Sequence, residues 1–437
     1  MKKMSFIGLA ATLMLSCLCV FAAPTGIDST VKVGLYYGSN ALDQASFSAA
    51  AAINAGGAVV PASTVAYAKA TGGDNGALIS SDGTQLLTWQ GGMIARADNG
   101  VMTVEGSEYR GSMIFQASEG KITVINQLSV DEYLYGVLPS ETYASWPAEA
   151  LKAQAVVSRS YVLSNQKGRH SSQGFDVCNT THCQVYSGKS KEANTTNAAV
   201  DATTGQVCTY GGEIINAVFS SSNGGYIEDS VNVWGGAVPY FVSKQDEYEK
   251  TEEINGMVWE VTVSNDTIQN NLNGIGVSIG TVKGLEIIEK AASGRVTKLR
   301  IIGDAGEYVA ERESCRTLLG LKSQLYTISS ANGGGTVYAL SQDGTSAVSD
   351  FYARSSDGDN HLGASLWAIG GDTAKVSLTA SVSQAIMSDN GFVIQGRGNG
   401  HGIGMSQWGS EYMAEAGFSY VDILQYYYPG TAVESIQ

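Results

Sequence analysis

The hydrophobic period changes once in the middle of the chain, and this change limits the fold classes that remain. From residue 146 to residue 163 the apolar positions recur with the 3.6-residue period of a helix. Ser145 precedes the stretch as a suitable N-cap, and Pro147 suits a first turn. The residues that carry the period are Leu151, Ala155, Ser158 and Val162. The sequence therefore predicts one long helix here.

Most other patterned segments alternate apolar and polar residues or are rich in β-branched and aromatic residues, which is typical of strands. The predicted strands are 31–37, 112–116, 121–128, 206–210, 214–219, 298–302 and 377–382. Residues 40–100 are rich in small residues with weak periodicity, and 332–335 is typical of a linker or loop. Strands clustered around one prominent helix predict an α+β fold with antiparallel-rich sheets, a catalytic cleft and peripheral β-rich insertions.

Charge narrows the class of ligand. The 437 residues include 41 acidic and 26 basic side chains, a net charge of −15, and charged residues make up only 15% of the chain. Because no basic tract offers a path for phosphates, binding of nucleic acid by counterion release is excluded. A surface rich in hydroxyl and amide groups suits an uncharged ligand such as a glycan better.

The N-terminus has the pattern of a secretory signal peptide. Lys2 and Lys3 precede an almost wholly apolar run from 6 to 21, and small residues lie before Pro24. An exported protein, either extracytoplasmic or associated with the cell wall, is expected, and an uncleaved N-terminal anchor is the alternative. The predicted division is a signal peptide at 1–23, an N-terminal β-containing region at 24–110, a catalytic core at 111–330, a β-rich insertion at 331–390 and a C-terminal part of the core at 391–437.

Glu141 is the carboxylate best placed for acid–base chemistry. It lies just before the predicted helix, and an apolar wall that includes Tyr143 and Trp146 would keep it partly protonated, as a general acid requires. Lys152 and Arg159 are seven residues apart on the helix and share a face. Spacing alone favours the alternative, a glutamate at a helix start with solvated basic neighbours. Asp131, Glu132, Asp246 and Glu247 are candidates for a second carboxylate.

Cysteine spacing leaves two readings open. Cys178 and Cys183 are separated by four residues, with His182 beside the second, which approaches the spacing of a zinc knuckle. His170 or water would be the fourth ligand. In an exported protein a Cys178–Cys183 disulfide is equally consistent with the spacing. The two remaining cysteines of the mature chain, expected as buried thiols or a distant bridge, are Cys208 and Cys315.

Four sequence blocks occur in an order that is typical of one family. They are 133–141 (YLYGVLPSE) with 145–156 (SWPAEALKAQAV), 175–186 (FDVCNTTHCQVY), 221–225 (SSNGG) with 233–236 (VWGG), and 400–409 (GHGIGMSQWG). Together they closely resemble the SpoIID/LytB family, over roughly 112–328 and 391–430. Two positions depart from the family pattern: Asn399 replaces a usual aromatic residue, and Ser220 replaces a histidine found in many members.

The resemblance implies a cell-wall protein that acts on peptidoglycan. Sporulation members of the family are lytic transglycosylases that cut glycan strands stripped of stem peptides, whereas the LytB branch is described as enhancing a cell-wall amidase. The catalytic acid falls on Glu141, basic helix positions fall on Lys152 and Arg159, and the last block brings His401 and Gln407 toward the same cleft. Further motif residues interpreted as substrate contacts are Ser221, Ser222, Asn223, Trp234 and Trp408.

The resemblance also favours zinc over the disulfide, because some proteins of this type carry zinc at the matching cysteines; the predicted ligands are Cys178, His182, Cys183 and His170. A single acid suffices for the implied reaction. An ordinary glycoside hydrolase needs two carboxyl groups, but a lytic transglycosylase uses a hydroxyl of its own substrate as nucleophile, at high effective concentration. Glu141 would act first as acid and then as base.

Overall fold

A computed structural model describes residues 29–165, 168–331, 338–341, 344–347, 367–368, 376–377 and 385–436. The expected signal peptide, the linker at 332–335 and most of the 331–390 insertion lie outside the described residues, as does the predicted strand at 377–382 apart from its first residue. None of the helices that the structure describes has the length and apolar character needed to cross a membrane.

The described part of the chain combines eight helices with many short strands. The helices are α1 (Val130–Glu141), α2 (Ala148–Asn165), α3 (Asn194–Ala202), α4 (Ser230–Trp234), α5 (Asn265–Gly274), α6 (Ser314–Thr317), α7 (Gln407–Glu415) and α8 (Tyr420–Tyr427). The strands of the first half are β1 (Thr30–Tyr36), β2 (Gln44–Ser48), β3 (Ile53–Ala55), β4 (Ala58–Val60), β5 (Ala66–Gly72), β6 (Asn75–Ser80), β7 (Gln85–Gln90), β8 (Gly92–Val104), β9 (Ser107–Ser118), β10 (Lys121–Ser129), β11 (Val177–Cys178), β12 (Gln206–Tyr210), β13 (Glu213–Ile214) and β14 (Phe219–Ser220). Those of the second half are β15 (Tyr226–Ile227), β16 (Lys244–Gln245), β17 (Val258–Val263), β18 (Val282–Lys290), β19 (Val296–Gly303), β20 (Glu307–Glu311), β21 (Tyr326–Ser330), β22 (Tyr338–Ser341), β23 (Gly344–Ala347), β24 (Trp367–Ala368), β25 (Val376–Ser377), β26 (Ile386–Met387), β27 (Phe392–Arg397), β28 (Met405–Ser406) and β29 (Ala432–Ser435).

The mixed α+β class with antiparallel-rich sheets is confirmed. Eleven strands form the largest sheet, in the order β11-β1-β10-β9-β8-β2-β5-β6-β7, with β3 and β4 attached beside β8. The weakly patterned stretch 40–100 supplies most of these strands. It is weakly patterned because its buried face is lined largely by alanines, whose small side chains give little periodic contrast; among them are Ala45, Ala55, Ala66, Ala68, Ala77, Ala95 and Ala97.

The helix predicted from the change of period is α2, which begins two residues later and ends two residues later than predicted. The Leu151 N–H bonds the Pro147 carbonyl at 3.2 Å, so Pro147 lies at the cap position itself. Thirteen of the 18 residues of α2 are buried, since α1, α3, α7, α8 and β12 all pack against it. Helix α2 is therefore one of several helices that pack together, rather than a single helix surrounded by strands.

Helix α1 has a start signal in the sequence that the periodicity argument missed. The Ser129 hydroxyl accepts the Glu132 N–H, and the Glu132 carboxylate accepts the Ser129 N–H, a complete capping box. The helix then carries Pro139 in its last turn and ends at Glu141. Glu141 is therefore the last residue of one helix rather than a residue of a turn before another.

One row of residues crosses the large sheet on the face away from α1. Ile94 pairs with Ile114, and Ile114 with Ile125. Ile125 in turn pairs with Gly34, which pairs with Cys178. Directly paired residues point to the same face of a sheet, so Ile94 and Cys178 share a face about 19 Å apart, at ~4.8 Å per strand.

Gly34 is required in this row because an aromatic ring lies on it. A Cβ atom at Gly34 would be 2.6 Å from the Phe175 ring. Phe175 also packs with Ile125 and Cys178 in a small buried cluster. The ring thereby seats the chain before β11 against the sheet.

The C-terminal segment returns to the core through a parallel pairing. Strand β14 pairs with β28 at Phe219–Met405 and Ser220–Ser406. The predicted strand 214–219 is thus split between β13 and β14, whereas the strand predicted at 298–302 lies within β19. A separate hydrophobic core lies among β17–β21, β26, β27 and helix α5. The β14–β28 pair holds the last sequence block beside α2 and α1.

Candidate active site and Cys–His cluster

Glu141 occupies a half-buried position at the C-terminal end of α1. Burial raises the pKa of its carboxyl group above the ordinary value, and one hydrogen bond from the Val185 N–H to Oε1, at 2.9 Å, opposes this effect only in part. No other partner of the Glu141 carboxyl group is present among the described residues. The group therefore retains a proton to higher pH than a solvated glutamate and has a second oxygen free to donate it.

Three aromatic side chains form a surface beside Glu141. Tyr143 lies 5.7 Å from Trp146 and 5.9 Å from Trp408, and the two tryptophans lie 5.2 Å apart, all between ring centroids. Tyr143 is 61% exposed although it is large and aromatic. Exposed aromatic faces of this kind stack on the apolar faces of sugar rings.

Gln407 contacts Glu141, although through the backbone. Its Nε2 donates to the Glu141 carbonyl at 3.0 Å and to the Gln154 Oε1 at 3.4 Å. The Glu141 carbonyl is among the last of α1 and has no partner within the helix. Gln407 therefore holds the C-terminal end of α1 in place, and with it the backbone from which the Glu141 side chain extends.

Lys152 and Arg159 have different surroundings despite their shared helix face. The Arg159 guanidinium is buried and binds Asp131 Oδ1 at 2.7 and 3.0 Å. Lys152 is partly exposed and pairs with Glu149 at 2.7 Å. A guanidinium that is 1% exposed and fully engaged inside the protein does not reach a glycan, so this placement argues against the substrate contact inferred for Arg159, whereas Lys152 stays a candidate.

The serine and asparagine block binds carboxylates of the protein itself. The Ser222 and Ser406 hydroxyls each donate to Glu249 at 2.5 Å, and the Asn223 N–H donates to the same carboxylate at 2.9 Å. The Asn223 side chain donates to Asp246 at 2.6 Å. Ser222 and Asn223 are buried, so their placement speaks for a structural role rather than the predicted substrate contact. Ser221 is only partly buried, and its carbonyl accepts the N–H of Trp408.

His401 is held by its own surroundings. Its Nδ1 accepts the Ile403 N–H at 3.0 Å, and its ring also bonds the Phe219 backbone. Burial lowers the pKa of His401 to about 4, so the imidazole is neutral near pH 7. Trp234 packs on it at 5.0 Å and donates to Glu313 at 2.9 Å. Neither side chain contacts Glu141 in the described structure.

The candidates for a second carboxylate are committed elsewhere. Asp131 binds Arg159, Glu132 closes the capping box, and Asp246 accepts from Tyr427 at 2.8 Å. Glu247 is exposed. Glu141 is therefore placed as a lone acid. The Val185 N–H and the Gln154 side chain also belong to the site. Sequence reasoning did not find them, because neither their side-chain type nor their spacing marks them.

The four predicted metal ligands lie together. The ligand atoms of His170, Cys178, His182 and Cys183 are all within 4.8 Å of one another. His182 Nδ1 is 3.6 Å from the Cys178 sulfur, 3.5 Å from the Cys183 sulfur and 3.3 Å from His170 Nε2. Tetrahedral zinc with its usual bond lengths separates such ligands by about 3.3–3.8 Å. The donor set and spacing thus fit one zinc ion.

The two thiols of the cluster differ in acidity. Burial alone would raise the pKa of Cys178, but hydrogen bonds from Thr180, Tyr37 and His182 hold it at about 6. Burial raises the pKa of Cys183 to about 11, and the neighbouring Cys178 charge adds to this effect. His170 is oriented by Gln173, whose Oε1 is 2.7 Å from Nδ1. A ring held this way keeps Nε2 turned toward the cluster.

A short segment connects the cluster with Glu141. Cys183 is two residues before Val185, whose N–H binds the Glu141 carboxyl. The intervening Gln184 accepts the Tyr133 hydroxyl at 3.1 Å. The loop that carries Cys178, His182 and Cys183 therefore also supplies the hydrogen-bond donor to the candidate acid.

The family described as Stage II sporulation protein matches residues 118–210, and a domain of unknown function (DUF8618) matches 235–345. The Amidase enhancer of Bacillus subtilis (strain 168) is 34% identical over 69% of this chain, and the chain spans 40% of the length of that relative. Stage II sporulation protein D of the same organism is 26% identical, over 71% of this chain and 75% of its own. An uncharacterised protein of Brachyspira hyodysenteriae is 30% identical, over 80% of this chain and 78% of its own.

These matches define the class as cell-wall-related proteins of the sporulation type. The chain belongs to the SpoIID/LytB family, as the four sequence blocks indicated.

Proposed function

We propose that the protein is a lytic transglycosylase that cuts peptide-stripped glycan strands of peptidoglycan, with Glu141 as its acid and base. The supporting observation is the half-buried Glu141 carboxyl, with its raised pKa and a single hydrogen-bond partner, beside an exposed aromatic surface. In this cleft Trp408, Trp146 and Tyr143 stack on sugar rings, and Lys152 and Ser221 lie among the polar contacts. The rest of the motif residues hold the cleft in shape.

The chemistry needs one proton and no water. Val185 occupies Oε1, so the proton resides on Oε2 and passes to the glycosidic oxygen as its bond to C1 breaks. The C6 hydroxyl oxygen of the same muramic sugar then bonds to C1. Its proton returns to the Glu141 carboxylate, which restores the acid and leaves a 1,6-anhydro end. Because the nucleophile is part of the substrate, the lack of a second carboxylate is no obstacle.

The test is the Glu141→Gln variant on peptide-free glycan strands. We expect the rate of anhydro-product formation to fall by about 10²–10⁴-fold, with the fold retained. Mass spectrometry identifies the product, because an anhydro end is one water lighter than a reducing end. Glu119→Gln changes an exposed glutamate in the β9–β10 turn and serves as the matched control. Full activity of Glu141→Gln would end the assignment.

A second candidate function is stimulation of a cell-wall amidase without cleavage of glycan. The similarity to a protein named Amidase enhancer favours it. This function predicts intact strands after incubation with the purified protein, together with faster amidase turnover when both proteins are present. The same digest separates the two functions, because only the transglycosylase yields anhydro ends.

Zinc bound by His170, Cys178, His182 and Cys183 completes the proposal. The ion would tie the loop that carries Val185 and so keep the Glu141 partner in place. Elemental analysis of the purified protein should show about one zinc per chain, and Cys183→Ser should lower it. Absence of zinc together with blocked thiols would favour the Cys178–Cys183 disulfide instead.

Export completes this picture, with residues 1–23 as a cleaved leader. N-terminal sequencing of protein from the producing cells should start at Pro24. A chain that retains Met1 and sediments with membranes would support the anchor instead.

A further inference from the structure

We propose that Tyr37, in the N-terminal part of the chain, positions two ligands of the Cys–His cluster and thereby raises the affinity of the cluster for zinc. The inference rests on the zinc ion of the proposed function and goes beyond it, because Tyr37 is not one of the four ligands. Tyr37 directly follows β1 and lies outside the four sequence blocks of the family. Folding alone brings it to the cluster.

The hydroxyl group of Tyr37 reaches the first ligand. It donates a hydrogen bond to the Cys178 sulfur, and the Thr180 hydroxyl lies 3.3 Å from the same sulfur. Cys178 is itself fully buried, so these two hydroxyl groups fix the direction of its thiol. A ligand that is already held in direction loses less side-chain freedom when a metal ion binds.

The ring of Tyr37 packs on the second ligand. Its centroid lies 5.9 Å from that of His170, edge to face, and 4.9 Å from that of Phe175. Phe175 stacks on His170 with the centroids 4.7 Å apart. The imidazole is thus enclosed by two aromatic rings, which limit its rotation and keep Nε2 directed toward the cluster.

Backbone contacts set the position of Tyr37. Strand β1 pairs with β11 in parallel, with Gly34 opposite Cys178, so the strand that leads to Tyr37 is aligned with the ligand itself. On the other side of Tyr37, its carbonyl accepts the Asn40 N–H at 3.0 Å. Gly38 has a φ of +58°, which glycine adopts without strain. Tyr37 is therefore fixed by hydrogen bonds of the backbone both before and after it.

The N-terminal region thereby completes the metal centre. The Stage II sporulation protein match covers residues 118–210 and includes all four ligands, whereas Tyr37 lies before it. The loop that carries Cys183 also supplies the Val185 N–H to Glu141. Tyr37 is thus a positioning residue, which acts on the candidate acid through the cluster.

The experiment measures the zinc affinity of the reduced protein by competition with a chromophoric chelator, with Zn²⁺ as the only added metal. Tyr37→Phe removes the hydroxyl group and keeps the ring, and we expect its dissociation constant for zinc to rise about 10–100-fold. Tyr37→Leu also removes the ring beside His170, so it should bind zinc more weakly still. Circular dichroism checks that each variant is folded. A residue that served the fold alone would leave the zinc affinity of the folded chain unchanged.

Tyr36→Phe is the matched control, because it removes the same hydroxyl group one residue earlier. Neighbouring residues of an extended backbone point to opposite sides, and Tyr36 packs against the large core. Its zinc affinity should equal that of the wild type. Equal affinities of Tyr37→Phe and Tyr36→Phe would overturn the role of the hydroxyl group, and equal affinities of Tyr37→Phe and Tyr37→Leu would overturn that of the ring.

Failure of this inference is distinguishable from failure of the proposal beneath it. A wild-type protein that binds no zinc would overturn the proposed metal site, and the inference with it. A wild type that binds zinc no more tightly than Tyr37→Phe would overturn the inference alone. The anhydro product and its loss in Glu141→Gln are measured separately, so either result leaves the test of the glycan chemistry intact.

Discussion

The two ends of α1 carry carboxylates in opposite situations. At the first turn, the Asp131 Oδ1 accepts two hydrogen bonds from the buried Arg159 guanidinium. At the last residue, the Glu141 carboxyl has one partner, a backbone N–H, and a raised pKa. Both lie in the segment shared with the family. The Asp131 carboxylate of this segment neutralises a buried guanidinium, whereas the Glu141 carboxyl group keeps one oxygen free for a substrate.

The same division separates Glu141 from Glu249. The Glu249 carboxylate accepts five hydrogen bonds from the described chain and draws together three segments. Such a group has no capacity left for a ligand. A full set of partners therefore marks a structural carboxylate even inside a functional motif.

The largest expected effect concerns Asp131 in the first turn of α1. Asp131→Ala leaves the Arg159 guanidinium buried without its counterion, so we expect the free energy of unfolding to fall by about 3–5 kcal/mol. Urea denaturation measures it. Lys152→Ala breaks the more exposed Lys152–Glu149 pair on the same helix α2 and should cost less than about 1 kcal/mol. Similar losses in both variants would contradict the contrast.

The next effect compares one substitution at two glutamates. Glu249→Gln places an amide NH₂ among donors, and each buried donor left without an acceptor costs about 1–3 kcal/mol. We therefore expect a loss of at least about 2 kcal/mol in unfolding free energy, with activity falling only as folded protein is lost. Glu141→Gln should do the reverse, with the activity lost and no loss in unfolding free energy. Catalytic loss in fully folded Glu249→Gln would move that residue into the active site.

Sequence reasoning found the elements that have a strong local signal. The period of α2 and the alternation of β10 are local, and both were predicted within two residues at each end. Helix α1 was missed because Gly136, Pro139 and several aromatic residues weaken its helical pattern. The Ser129–Glu132 capping box was the signal that could have revealed it.

The candidate site could be predicted in its residue types but not in its division of roles. The resemblance implied that Gln407 lies toward the same cleft as Glu141, and the Gln407 side chain donates to the Glu141 carbonyl. The burial of Arg159 and the use of Asn223 by Asp246 depend on which distant segments pack there. Such long-range pairing leaves no trace in residue spacing.

The smallest expected effect is a dependence of the unfolding free energy on pH that comes from Glu141, the last residue of α1. The folded-state pKa of Glu141 is raised by burial above the value of 4.5 that applies when the chain is unfolded. Between these two values the folded state holds more protons than the unfolded state, so stability falls as the pH rises. Each unit by which the pKa is raised removes about 1.4 kcal/mol. Glutamine at 141 cannot ionise and removes this cost.

The unfolding free energies of wild type and Glu141→Gln should therefore lie closest below pH 4.5 and separate as the pH rises through the raised pKa, with the variant the more stable. Above that pKa the gap becomes constant. Glu119→Gln, at an exposed turn, should run parallel to wild type throughout. A Glu141→Gln curve that also runs parallel would mean that folding leaves the pKa of this carboxyl group unchanged. A curve that falls below wild type at neutral pH would mean that the carboxylate is stabilised in the fold. Glu141 would then resemble Asp131 at the other end of the helix, and the argument for it as a proton donor would fail with the contrast.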